Sequence, residues 1–266
     1  EFQMQRKEFG KARSILEAAV ARVEADADWF RDDEVSEYPH FANMLEEILH
    51  QEYFKPEKTV RRLPEDYARL YFVYGIVLVE LGFLAEARVA LEKALRVNPV
   101  KTDILFELGE TYKLEGDYDR FLLLSRQCLK YAYTRAALGR CYRNLGYYYV
   151  EKEDYRLASA LFFFSLAFDQ EGKTAQSELF YISQLTGEEV RPPSLEELRG
   201  LLEGAEVPMG ADDVVLEIGL SIGRYAEDQG ALDPACFFYG IVYELTGDEE
   251  IGERIGMLSG GSGVVS

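Results

Sequence analysis

Apolar residues return along this chain three and four positions apart, and in three places the stripe passes through a glycine that brings similar neighbours with it. Around Gly75 the chain reads Tyr71-x2-Tyr74-Gly75-x2-Leu78, around Gly109 Leu105-x2-Leu108-Gly109-x2-Tyr112, and around Gly146 Tyr142-x2-Leu145-Gly146-x2-Tyr149. A small residue and a large one follow at twelve and sixteen positions: Ala87 and Leu91 after Gly75, Ala158 and Phe162 after Gly146, Ala235 and Tyr239 after Gly223. This spacing predicts pairs of amphipathic helices joined by short turns, the small residue of the second helix letting the two approach closely.

The pattern also marks where the regular units stop. Glu8-Phe9-Gly10-Lys11-Ala12 reads as a turn and the opening of a second helix, continued by Leu16 and Ala19. Its first helix falls mostly before Glu1, so residues 1–24 are expected to be a partial repeat in a fragment of a longer protein. Residues 25–66 break the period. Phe41, Met44, Leu45, Ile48 and Leu49 predict an inserted helix over 39–54, and the stretch from Lys55 to Pro64 reads as a connector. From 67 to 258 an array of helix pairs is expected, most regular over 68–98 and stopped by Pro99. In the next unit, 102–132, Phe121 stands where the small residue belongs and Ser125 where the bulky one belongs. Either Phe121 splays the pair or Ser125 accommodates it, with locally altered curvature expected.

Between Gly109 and Gly146 the spacing is 37, and Gly139 offers a competing frame, but only Gly146 places Ala158 and Phe162 correctly. A first helix over 134–151 follows. The 77 residues from Gly146 to Gly223 leave room for one degenerate unit. It would hold a helix over 174–185, an interruption over 188–193 and a second helix opened by a capping box, Ser194-x2-Glu197. A last unit over 212–246 turns at Gln229-Gly230, with Asp233-Pro234 opening its second helix. A short helix over 248–257 would cap the stack, and 259–266 reads as a flexible tail.

With its period near 34 residues, this phrase resembles the tetratricopeptide repeat. The resemblance implies an all-α, right-handed α-solenoid of helix-turn-helix repeats carrying an inserted N-terminal helix. It further implies that the first helices line a concave groove through residues just after the repeat glycine and three and six before it. Those are Arg69, Phe72 and Ile76; Asp103, Phe106 and Glu110; Arg140, Arg143 and Tyr147; Thr174, Ser177 and Tyr181; and Glu217, Leu220 and Arg224. The groove would be apolar at Phe72, Ile76 and Phe106 and basic at Arg140 and Arg143, suiting a protein or peptide with an acidic or phosphorylated group. The alternative for the two arginines is pairing with Glu or Asp of neighbouring units. Family members that hold a C-terminal carboxylate use Lys and Asn where Phe72 and Ile76 stand here. Phe54-Lys55-Pro56, the run from Asp103 to Leu108 and the run from Cys141 to Tyr148 are similar to a group of bacterial tetratricopeptide proteins.

Composition narrows the function. The chain has 266 residues, is 48% hydrophobic, and carries a formal charge of -19, which excludes a general nucleic-acid binder because phosphate affinity depends on Lys and Arg. The charge is uneven. Residues 120–150 contain no Asp or Glu but include Arg120, Arg126, Lys130, Arg135, Arg140 and Arg143, whereas 196–254 hold fifteen acids against Arg199, Arg224 and Arg254. A salt-sensitive homo-oligomer, acidic end on basic middle, follows as one hypothesis. Cys128, Cys141 and Cys236 are odd in number and widely spaced, as in a cytoplasmic protein with reduced thiols, and no apolar run has membrane-spanning length.

Catalytic chemistry has little to build on. The histidines are His40 and His50, and Glu47 with His50 has the i, i+3 spacing of a metal-binding helix but lacks a second such pair. They are expected to be a surface pair. Of the aromatic runs, Tyr149 and Phe162 are expected in the core, while Tyr147 divides evenly between core and groove. The expected function is non-catalytic binding of a protein or peptide, without cofactor or metal. A ligand-sensing regulatory domain and a self-assembly module are the alternatives.

Overall fold

Asp66 opens the best-formed helix pair of the computed structural model, which describes residues 8–25, 34–169 and 172–260. Its carboxylate accepts the Arg69 N–H at 2.9 Å and so caps the helix that follows, an arrangement that contributes about 1 kcal/mol. Thr134, Asp154, Ser194 and Asp212 cap later helices in the same way, and Ser194 and Glu197 form the expected capping box. At the other ends, Gly116, Gly187 and Gly247 take the left-handed conformation that stops a helix.

Among the described residues there are thirteen helices: α1 (Phe9–Ala25), α2 (Met44–Phe54), α3 (Tyr67–Glu80), α4 (Leu84–Val97), α5 (Thr102–Glu115), α6 (Tyr118–Tyr131), α7 (Arg135–Glu151), α8 (Tyr155–Ser165), α9 (Lys173–Thr186), α10 (Leu195–Gly204), α11 (Asp213–Asp228), α12 (Leu232–Thr246) and α13 (Glu249–Gly260). The all-α class and its helix-turn-helix pairs are those the spacing predicts. The chain divides into two compact units, Glu1–Leu124 and Ser125–Ser266.

In unit 1, α3 and α4 form a pair, α1 packs against α3, and α4 packs against α5. The core joins Tyr71, Leu91, Ala94, Val97, Ile104 and Leu108. The insert is more than a helix and a connector. Its α2 begins at Met44, and two short strands, β1 (Ser36–Glu37) and β2 (Thr59–Val60), pair in parallel on either side of it. In unit 2, α7 pairs with α8 and α11 with α12, while α13 packs on α12. The degenerate unit differs in that α10 lies against α8, as α9 also does. Helix α13 runs through Ser259 to Gly260, where a tail is expected, and 261–266 lie outside the described residues, as do residues 1–7 of the expected partial repeat.

The recurring glycine has a direct steric reason. A Cβ on Gly75 would stand 2.6 Å from Leu91 Cγ, one on Gly146 would stand 2.9 Å from Phe162, and one on Gly223 would stand 2.7 Å from Tyr239. Each glycine is buried under the large residue sixteen positions on. This settles the frame at Gly146 over Gly139. In the Gly109 unit the partners are exchanged: Phe121, twelve positions on, fills the space at 3.4 Å, and Ser125 is buried one turn later.

Candidate functional site

The groove stripe of α3 opens onto a cavity of about 660 Å3 in unit 1. Arg69, Phe72 and Val73 of α3 line it, with Asp103 and Ile104 from the start of α5 and Ala12, Ile15 and Leu16 from α1. The insert supplies His40 and Ala42, and the α4–α5 turn supplies Asn98 and Lys101. Arg69 is exposed and Phe72 half-buried, so both meet the cavity from a helix fixed by its Asp66 cap.

Backbone and side-chain bonds fasten the insert to this wall. The His40 N–H donates to Val97 O at 2.9 Å, and the His40 ring Nδ1 lies 3.1 Å from Leu63 O. Glu46, fully buried, accepts from the Ala42 N–H at 2.8 Å, from Asn98 Nδ2 at 2.9 Å and from Lys101 Nζ at 3.0 Å. Burial alone would push its carboxyl upward. The Lys101 charge and the three donors outweigh that and hold it below the usual carboxylate value. Lys101 is thereby neutralised within the wall, leaving the rim to Asp66, Asp103 and Arg69.

Sequence reasoning missed the role of Glu46, Asn98 and Lys101, which lie on separate elements and share no spacing. It also misplaced two residues. Phe106 is 2% exposed, in the core of unit 1, and offers no surface to a partner. His50 is 4% exposed, stacked on Phe54 with ring centroids 5.1 Å apart and 5.2 Å from the Phe41 ring, so it is no surface residue. Burial lowers its pKa. Its expected companion Glu47 pairs with Arg62 instead. Ile76 is half-buried on α3, and Glu110 pairs with Lys113 one turn away.

In unit 2 the predicted groove residues differ in burial and in partners. Arg143 binds Asp169 at 3.0 Å, an internal pairing with an acid that follows α8 of its own helix pair rather than one of a neighbouring unit. Arg140 is half-buried. Tyr147 packs on the cluster of Val150, Ala158, Phe162, Ala175 and Ile182, while Tyr181 is 50% exposed on α9 beside exposed Ser177. Thr174, Glu217 and Arg224 are exposed and Leu220 is half-buried. Other cations of the basic stretch serve internal bonds. Arg126 donates to Ala205 O at 2.8 Å beyond the end of α10, and Arg135 donates to Glu244 O at 3.0 Å near the end of α12.

Among the described residues no group of three or more His, Cys, Asp or Glu could hold a metal ion, and no helix is long and apolar enough to cross a membrane. Residues 68–101, covering α3, α4 and the following turn, match the family model of the tetratricopeptide repeat. The resemblance carried by the glycine phrase is therefore borne out at its most regular unit. The crystal structure of the APC/C hetero-tetramer Cut9-Hcn1 is similar over 83% of this chain and 40% of that one, at 13% identity and a TM-score of 0.40. This chain thus spans less than half of that chain's length. No curated protein matches the sequence.

Proposed function

We propose that this chain is a non-catalytic protein-binding module and that the cavity on α3 and α5 is its site in unit 1. The observation that supports this reading is convergence. Arg69 and Phe72, on one first helix, and Asp103, on the next, border a single cavity together with apolar side chains of α1. Its volume lies within the roughly 300–1,000 Å3 of ligand sites and suits a few side chains of a bound segment. Ile15, Leu16, Phe72, Val73 and Ile104 offer apolar anchorage, and the charged rim fixes orientation. The tetratricopeptide match is consistent with an interaction scaffold.

The acidic partner expected at Arg140 and Arg143 loses support, because Arg143 already holds Asp169. The test is capture from cell extract by the chain and by Phe72→Asp, with helicity checked by circular dichroism. A partner bound by the parent and lost by the folded variant supports the site, and a partner retained at full yield moves it elsewhere.

A further inference from the structure

The His50 ring is buried on α2 between Phe41 and Phe54. The Glu37 carboxylate of β1 lies 3.6 Å from its Nε2, and its Nδ1 is buried with no hydrogen-bond partner among the described residues. On α2 itself Glu46 is bound to Ala42, Asn98 and Lys101, and Glu47 to Arg62. Phe41, Phe54 and the β2 residues Thr59 and Val60 carry no charge. A neutral imidazole suits this site, because only one of its nitrogens carries a hydrogen. An imidazolium donates from both. Glu37 can take one of those hydrogens, and the other is left in an aromatic pocket without an acceptor, a costly state for a buried charge. Burial accordingly lowers the pKa of the ring from its ordinary 6.5.

Helix α2 is held unevenly. It does not pair with another helix as α3 pairs with α4. Its first turn is fastened to the array by the buried Glu46, through bonds to Asn98 and Lys101 that involve no histidine. Its last turn ends at the exposed Phe54 and at Lys55, a non-glycine residue held at φ 44° in the left-handed region. Lifting that last turn hydrates Nδ1 and lets Lys55 leave its strained conformation, while the Glu46 anchor stays intact. We propose that the insert is a proton-sensitive latch: charging of His50 favours a state in which the second half of α2 lifts from β1 while Glu46 keeps the first turn attached. Phe41, which packs on His50, stands between His40 and Ala42, two residues lining the cavity on α3 and α5, so the latch reaches that wall. Its effect on a bound partner, unlike the latch itself, rests on the binding role argued above.

The experiment is hydrogen exchange of the intact chain at about pH 7.5 and about pH 5.5, read by mass spectrometry and corrected for the pH dependence of chemical exchange. A ring that takes its proton only in the lifted form, at the ordinary value of 6.5, multiplies the lifted population by up to about tenfold over this interval. The expected result is exchange over residues 50–54 that is about five- to tenfold faster at the lower pH and indifferent to low urea, because the opening is local. Amides of α3 and α4 should exchange more slowly and accelerate with urea, as global unfolding requires. The chain has two histidines, so a response that survives His40→Gln belongs to His50, whether or not His50→Phe folds. A folded His50→Phe should lose the response. Exchange over 50–54 that ignores pH, or that follows α3 and α4 in its urea dependence, would overturn the latch. A response that vanishes in His40→Gln or persists in folded His50→Phe would overturn it as well.

Discussion

Gly75 lies under Leu91 so closely that a methyl group on the glycine would stand 2.6 Å from Leu91 Cγ, inside the buried contact between α3 and α4. Two effects oppose each other when Gly75 becomes alanine. Helix propensity favours alanine by about 1 kcal/mol, while overpacking a closed core costs about 1–3 kcal/mol. Leu91 is completely buried and has little room to turn, so overpacking wins. Gly75→Ala should lower stability by up to about 2 kcal/mol in urea unfolding. Gly240→Ala on α12, where nothing lies within 4 Å of the added carbon, should raise it by about 0.5–1 kcal/mol.

The Gly109 unit makes a different prediction because its large residue has moved. Gly109→Ala meets Phe121 at 3.4 Å, an ordinary contact, and should be nearly neutral. Phe121→Ala empties a fully buried position and should cost about 3–5 kcal/mol. Equal losses from the two substitutions would contradict the exchanged packing.

How much of this was readable beforehand follows from the range of each interaction. The glycine, its large partner and the capping box lie within one helix pair, so spacing reports them, and Gly146 could be chosen over Gly139 from Ala158 and Phe162 alone. Glu46 is different. Its donors Asn98 and Lys101 are 52 and 55 residues away on another element, and no local period connects them. The β1–β2 pairing joins residues 23 apart across α2 and was hidden for the same reason. Phe106 and His50 each occupy a plausible outward position on their own helix. Their burial depends on neighbouring elements, which the periodicity of one helix does not record.

Glu46 and His50 give unfolding opposite chemistry at one common sign. The Glu46 carboxyl, depressed in the fold, contributes fully above its unfolded value of 4.5, and the contribution is lost as pH falls through the lower folded value. His50, also depressed by burial, leaves the unfolded chain to bind the proton first as pH drops below 6.5. Stability should therefore decline in two stages on acidification. His50→Phe should flatten the upper stage and Glu46→Gln the lower one, as measured by urea midpoints across pH. An upper stage unchanged by His50→Phe would contradict the role given to His50.

Tyr142 ties the loop after α10 to α7. Its hydroxyl accepts the Gly210 N–H at 2.8 Å and lies 2.9 Å from Pro208 O and 3.0 Å from Gly210 O, either of which can take its proton. Burial pushes its pKa upward. Tyr142→Phe keeps the ring but leaves these groups without the hydroxyl, and should cost about 1–3 kcal/mol. Hydrogen exchange should quicken first at Gly210.

The binding site itself is tested most directly by quantitative capture from extract with the parent chain, Phe72→Asp in the cavity and Phe180→Asp on the exposed face of α9. The account predicts a partner that survives Phe180→Asp and is lost with Phe72→Asp while the fold is retained. A partner that tolerates Phe72→Asp but is lost with Phe180→Asp would contradict it and place binding on unit 2.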